Sequence, residues 1–318
     1  MRLLLDNVNL GSTSGPNSFG RQLTEQLIRD QHDVMNTIEL SRGGNKVNFA
    51  PPDIQLTFIE AMVRIESVPM VQRLDGIYYN SDSQYGDWWL QNQRIKETYD
   101  NAKGVIFQSP FSKKLVESFF DAKPETQVTI IGNGVNLDAV ASIPKLEDPI
   151  LDPFDDVWMC ASSWRPHKRL TSNIRYFLQF ANDNDVMIVA GAASGPYSDH
   201  ERVIYVGELN WSTLIACYKR ASTFVHLAYH DNCPNVIVDA RAAGCKIVCA
   251  SCSGSPSIAG PEAIVIEEDE WTPEPIELYK PPTLNFKRAR RNGIESNIDI
   301  RNVTERYLAF LAHIKDLS

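Results

Sequence analysis

Short apolar runs alternate with stretches of helical periodicity from one end of the chain to the other. Runs such as LLL, VIF and VMIVA show no polar–apolar alternation, so they predict strands buried on both faces. Strands are expected at 2–6, 54–58, 70–74, 105–108 and 128–131, and again at 157–161, 186–190, 203–206, 224–227, 246–250 and 263–266. Between them, apolar residues recur three and four apart. This predicts helices at 18–29, 88–101 and 111–119, then at 170–181, 211–219 and 235–243. Asp87 is placed to cap the second of these, and Ser109-Pro110 to start the third. Alternation of this kind predicts parallel sheets covered by helices, and two such series predict two Rossmann-like domains of the α/β class. The stretch 138–153, with Pro144, Pro149 and Pro153, reads as the linker, giving domains over 1–145 and 146–298. A last helix beginning near 299 carries Val303, Tyr307, Phe310, Leu311 and Ile314 on one face, and residues 299–318 are expected to cross back to the first domain. The acidic, Pro-rich segment 267–283 reads as an irregular surface excursion.

The composition narrows the function classes. The chain has 318 residues, enough for about two domains with cores of their own. It carries 31 Lys plus Arg against 40 Asp plus Glu, a formal net charge of −9, which disfavours a wholly basic surface for nucleic acid or anionic lipid. No apolar run approaches the roughly 20 residues of a membrane span. The run Leu3–Leu5 is too short for a secretory signal, so a cytoplasmic protein without a leader is expected. All six cysteines lie in the second half. Cys249 and Cys252 form a C-x2-C pair, but no second pair completes four zinc ligands, and small packing residues are the expected reading.

The segment from Val225 to Gly260 holds most of the candidate chemistry. A strand ends near Leu227, a polar loop follows, and Pro234 opens a helix. Amide groups in the first turn of a helix, with the positive end of its dipole, suit a phosphate. Asp231, in the loop, is placed to accept hydrogen bonds from sugar hydroxyls. Asp239, a turn or more into the helix, is placed to accept them from a diol such as a ribose. The plainer alternative is a loop or capping residue and a solvated helix residue.

This segment resembles the retaining glycosyltransferases of family 4, which have the GT-B fold of two Rossmann-like domains. Their signature is E-x7-E, a small-residue helix, a strand and a Gly-rich turn with a Pro. Here the chain reads D-x7-D (Asp231, Asp239), ARAAG, KIVCAS and SGSPSIAG, with Asp at both acidic positions. The resemblance implies that Asp231 binds the donor sugar and Asp239 the ribose. It implies that the backbone from Asn232, Cys233, Pro234, Asn235 and Val236 holds the sugar and phosphates. The loop SSWRPHKRL resembles the family's basic pair, which makes Arg165 and Lys168 the clamp on a nucleotide diphosphate; their spacing is three rather than the usual five. Gly191, after DVMIVA, would allow a close approach to the nucleotide. Gly207, Glu208 and Leu209 match the segment whose backbone meets the base, and IIGNGVNLDAV resembles the segment that closes the first domain. In the first domain the Gly-rich NLGSTSGPNSFG makes Gly15, Pro16 and Asn17 candidates facing the donor, and Arg73-Leu-Asp75-Gly resembles an R-x-D-G segment with Asp75 near the sugar or acceptor. An Arg–Asp pair that merely holds a loop is the alternative there. Tyr78, Tyr79, Tyr85, Trp88 and Trp89 are candidates for stacking on sugars or for the core.

The activity implied is transfer of a sugar from a UDP- or GDP-sugar to an acceptor hydroxyl, with retention, no metal and no cofactor beyond the donor itself. Asp183-Asn184-Asp185 is a D-x-D by letters, in a helix-to-strand turn. A glycan is the default acceptor, and a modified DNA base a rarer one. A phosphorylase would need a longer chain and a pyridoxal-binding lysine. A nucleotide-sugar-binding protein without turnover is the other alternative. Lys113 and Lys114 beside Phe111, Leu115, Phe119 and Phe120 give a peripheral-membrane pattern that an ordinary packed helix shares.

Overall fold

The computed structural model describes residues 1–42, 50–78, 87–123, 125–192, 198–269 and 280–318. The chain divides into two units, Met1–Gly134 with Asp299–Ser318, and Val135–Ile298.

Unit 1 is a six-stranded parallel sheet in the order β2-β1-β3-β4-β5-β6. Its strands are β1 (Arg2–Asp6), β2 (Asp33–Asn36), β3 (Ile54–Phe58), β4 (Met70–Leu74), β5 (Gly104–Phe107) and β6 (Gln127–Ile130). The helices are α1 (Gly15–Arg29), α2 (Thr37–Arg42), α3 (Trp88–Asn101) and α4 (Pro110–Phe120). On one face Leu3, Leu5, Ile54, Leu56 and Phe58 pack on Phe19, Leu23 and Leu27 of α1. On the other face buried polar side chains stand among apolar ones such as Leu4, Val105 and Phe107. Asp6 accepts from Thr37 Oγ1 at 2.9 Å and from the Met62 N–H at 2.9 Å, while Gln55 and Gln72 donate to the carbonyls of Val63 and Ile59. Thus the connection from β3 to β4, which lacks a helix, has its buried backbone groups satisfied by side chains standing on the sheet. Ser109 and Ser112 form a reciprocal cap at the start of α4, and Pro110 stands at its first position. Asp87 occupies the N-cap position of α3 without a capping bond from its side chain.

Unit 2 is a seven-stranded sheet in the order β13-β12-β11-β10-β7-β8-β9, parallel except for the edge strand β13. Its strands are β7 (Val157–Ala161), β8 (Val186–Ala190), β9 (Val203–Gly207), β10 (Thr223–His226), β11 (Lys246–Ala250), β12 (Ile264–Ile266) and β13 (Ala289–Arg291). The helices are α5 (Leu137–Ser142), α6 (Leu170–Phe180), α7 (Trp211–Arg220), α8 (Asn235–Ala242) and α9 (Pro256–Ala259). Both faces are apolar. Val157, Met159, Phe224, Ile247 and Cys249 face one cluster with Tyr218 and Ile237, and Cys160, Val189, Val225 and Val248 face the other with Phe177. All six cysteines are buried, and burial pushes Cys245, Cys249 and Cys252 up to about 12.

Two differences from the sequence reading have plain causes. The division falls at Gly134 rather than near 145, because Val135, Val140 and Leu151 already sit in the core of unit 2, and Val135 donates its N–H to the Ile298 carbonyl at 2.8 Å. The Pro-rich stretch therefore lies on unit 2 instead of linking two domains. The last helix, α10 (Ile300–Leu317), buries Ile300, Val303, Tyr307, Leu311 and Ile314 in the core of unit 1. Tyr79, Tyr85 and residues 270–279 of the acidic segment lie outside the described residues.

Candidate functional site

In unit 2 the strand order reverses between β7 and β10. The chain builds outward from β7 through β8 and β9, then returns to lay β10 on its other side. In open α/β sheets, ligands bind at the carboxyl ends of the strands flanking such a reversal. The loops leaving β7 and β10 meet there. Lys168 Nζ donates to Asp231 Oδ2 at 2.6 Å and lies 3.4 Å from the His230 carbonyl. Lys168 closes a 3-10 turn, Pro166–Lys168, and Asp231 lies four residues before the first residue of α8. Asp231 is fixed from below, since its carbonyl accepts from Gly254 of the SGSP turn at 2.7 Å.

Three histidines surround this ion pair. His226 Nε2 lies 3.4 Å from Asp231 Oδ2, and the His167 and His230 rings meet edge to face with centroids 6.3 Å apart. Burial lowers all three, His230 to about 4 and His167 to about 2, so the imidazoles are neutral at pH 7. Burial alone would raise the Asp231 carboxyl, but Lys168 and then His226 outweigh it and hold it well below the usual carboxylate range. The result is one anchored carboxylate and one ammonium among three neutral imidazoles.

Most of the other candidates of unit 2 gather at the same edge. Cys233 and Pro234 are buried, and Asn235 and Val236 open α8. Gly191 donates to the Gly207 carbonyl at 2.6 Å, which ties the ends of β8 and β9. Gly191 has φ of 104°, and a Cβ on it would meet the Ser162 carbonyl at 1.9 Å. The close approach it permits is to the loop leaving β7. Glu208 is exposed, Leu209 packs on the core, and Asn210 caps α7 through Thr213. Asp239 is buried, and burial pushes its carboxyl up to about 7, with the Trp211 indole offsetting part of that rise. Arg165 is exposed at the cap of the 3-10 turn. Asp183 and Asp185 lie at the opposite, amino end of β8, where Asp185 accepts from the Asn182 N–H at 2.7 Å.

Two features here were missed by the sequence reading. Arg169, in the left-handed region at φ of 53°, is buried and bidentate on Glu268 at 2.9 and 2.6 Å, fastening the loop after β7 to the end of β12. The partners are 99 residues apart, so no local signal links them. His226 did carry a signal, a polar residue standing directly after the apolar pair Phe224-Val225.

Unit 1 places its candidates differently. Arg73 is wholly buried between the rings of Phe19 and Phe58, 4.6 and 4.8 Å from their centroids. It donates to Tyr307 Oη at 3.1 Å and to Asn133 Oδ1 at 2.7 Å, and pairs with Asp75, which also accepts from Gln108. Burial raises the Asp75 carboxyl to about 6, with Arg73 opposing. Asp75 is thus one member of a network joining β4, β5, the end of β6 and α10. Gly15 and Pro16 open α1, and Asn17 folds back to accept from the Asn9 N–H at 2.9 Å, shaping the loop after β1. Trp89 is exposed and Trp88 partly buried at the start of α3, while α4 turns Leu115, Val116 and Phe120 inward.

Residues 156–277 match the family model described as glycosyl transferases group 1. No curated protein sequence matches the chain. Among solved structures, sucrose-phosphate synthase from Thermosynechococcus elongatus is similar with a TM-score of 0.65 at 14% identity, covering 99% of this chain and 91% of that one. HepE from Anabaena, in complex with UDP-glucose, gives 0.63 at 15% identity, covering 98% and 100%. AviGT4, a glycosyltransferase involved in avilamycin A biosynthesis, gives 0.64 at 11% identity, covering 100% and 99%.

Proposed function

With a glycosyl transferases group 1 segment at 156–277 in a chain that has the GT-B fold, we propose that the protein transfers a sugar from a nucleotide-diphosphate sugar to an acceptor hydroxyl. The observation that carries this reading is the Lys168–Asp231 contact at the point of strand reversal, beside the first turn of α8. A donor needs a cation for its diphosphate, an acceptor for its sugar hydroxyls and oriented dipoles at the departing oxygen, and these three meet there.

Lys168, with the exposed Arg165 near it, faces the diphosphate. The amides from Asn232 to Val236 face the sugar and phosphates, and Asp231 accepts from the sugar. Gly207, Glu208 and Leu209 meet the base, and Asp239 the ribose. The bond between the anomeric carbon and the phosphate oxygen breaks as that carbon bonds to the acceptor oxygen. The acceptor proton passes to the departing phosphate on the same face, which retains the anomeric configuration. Lys168 supplies the charge that would otherwise call for a divalent cation, and the D-x-D of Asp183 and Asp185 stands at the far end of its strand. EDTA should accordingly leave transfer intact, and strong inhibition would overturn the metal-free route. The thiols fit a reducing, cytoplasmic compartment. In unit 1 we assign Gly15, Pro16 and Asn17 to the donor and Asp75 to a positioning network.

A thermal-shift screen against UDP, GDP, ADP and their sugars tests the reading, because a ligand of the native state raises the melting temperature. One nucleoside diphosphate and its sugar should stabilise the protein, and the sugar form should turn over. Binding without hydrolysis or transfer from any donor would make the chain a nucleotide-sugar-binding protein instead.

A further inference from the structure

Asp231 is held through a single oxygen. Oδ2 receives Lys168 at 2.6 Å and faces His226 Nε2 at 3.4 Å, and among the described residues no hydrogen bond reaches Oδ1. His226 is 2% exposed, and its ring lies nearly parallel to that of Phe224, at an interplanar angle of 13°. Among the described residues its Nε2 has no closer polar partner than Asp231. A polar ring is therefore buried at the carboxyl end of β10, its Nε2 beside a carboxylate oxygen to which it makes no hydrogen bond. The separation is at the long limit of a hydrogen bond, as contacts in ligand-free sites often are before they tighten.

A donor diphosphate changes this balance. Lys168 has to serve the phosphate oxygens, and what it gives them it withdraws from Asp231. The carboxylate is only partly open to water, so a lost donor there is replaced at a cost unless another group moves up. His226 is the group in reach.

We infer that His226 is a positioning residue: as the diphosphate draws on Lys168, the imidazole takes over Asp231 Oδ2 and keeps Oδ1 presented to the hydroxyls of the donor sugar. This rests on the glycosyltransferase reading above for the identity of the ligand, and on the geometry alone for the His226–Asp231 pairing.

The test compares wild type with His226→Phe, which keeps the packing on Phe224 and loses the donor, and His226→Gln, which keeps an N–H donor. UDP affinity by calorimetry should fall more in His226→Phe than in His226→Gln, because a pairing that tightens when UDP binds must in turn favour UDP binding. With UDP-glucose as probe, His226→Phe should lower kcat by about a hundredfold, the size expected when a reacting group is misplaced by about 1 Å. His226→Gln should recover at least tenfold of that. No loss in His226→Phe, or equal loss in both variants, overturns the inference. Nitrogen NMR of the His226 ring gives a reading independent of turnover. The Nε2–H tautomer is expected, with its proton moving downfield on addition of UDP in wild type and unmoved in Asp231→Asn. An Nδ1–H tautomer overturns the inference. Should wild type turn over no sugar nucleotide while the UDP-dependent shift is present, the catalytic reading falls and the pairing stands.

Discussion

Lys168 and Asp231 neutralise each other where water only partly reaches, so losing one partner differs from losing both. Lys168→Ala leaves the carboxylate facing His226 alone. Stranding a charge in such a place costs about 1–3 kcal/mol, and losing the cation for a leaving diphosphate should lower kcat by about 10²–10³. Adding Asp231→Asn removes the stranded charge, so the double variant should regain most of the stability and none of the activity. Urea denaturation of both proteins checks this, and equal stability of the two would refute it. The pair also sets a response to acid. Asp231 titrates below its usual range in the folded chain, while the unfolded chain takes up its proton near pH 4. That stabilisation is present above about pH 4 and is lost as the pH falls further. Asp239 behaves in the opposite way. Burial raises it to about 7, so its contribution is complete below about pH 4 and is lost as the pH rises through 7. Asp239→Asn should melt higher than wild type at pH 8, by a margin that grows between about pH 4 and 7 and then levels. A margin constant across that range would show that Asp239 does not titrate there.

The elements place these residues, and one glycine sets the spacing between two of them. Gly191→Ala has to accommodate a Cβ 1.9 Å from the Ser162 carbonyl at a φ of 104°. No flexible side chain can yield, because the obstacle is backbone. A loss of about 3 kcal/mol or more is expected, read as a lower denaturation midpoint, together with weaker nucleotide binding as the loop carrying Lys168 shifts. A variant as stable as wild type would mean that this loop adapts freely. What the sequence made legible follows from burial. Runs at 2–6, 54–58, 70–74, 157–161, 186–190 and 246–250 are strands with those bounds because buried positions must be apolar or internally paired. Edge elements left no such mark. β2 buries only its last two residues, β13 is three exposed residues whose arginines pair with Glu267 and Glu262, and α2 buries nothing. The same limit applies at the site. Asp231, Lys168 and Asp239 stood out as candidates through motif spacing, whereas Arg169–Glu268 depends on strand order, which no local pattern encodes.

At the scale of the whole molecule, the chain passes between units twice, at Gly134 to Val135 and at Ile298 to Asp299. Unit 2 is one continuous stretch, while unit 1 is completed only by the returning helix. α10 supplies Ile300, Val303, Tyr307, Leu311 and Ile314 to the first core, and Tyr307 accepts from the buried Arg73. Ending the chain after Ile298 removes all five from unit 1 and leaves a guanidinium without one of its partners. Burying a side chain of this kind contributes about 1.5–3 kcal/mol, so the loss is of the order of a whole domain's stability, about 5–15 kcal/mol. Unit 2 loses nothing from either of its clusters. Lys168, Asp231, Asp239 and Gly207 to Leu209, which we propose hold the nucleotide sugar, all remain, along with Arg165. The truncated protein should therefore be cut rapidly by proteinase K before residue 134, yield a protected fragment beginning near Val135, and lose transfer. That fragment should still bind the nucleoside diphosphate within severalfold of the intact protein. Protection extending through residues 1–134 would show that unit 1 folds without α10, and loss of nucleotide binding by the protected fragment would place part of that site outside unit 2.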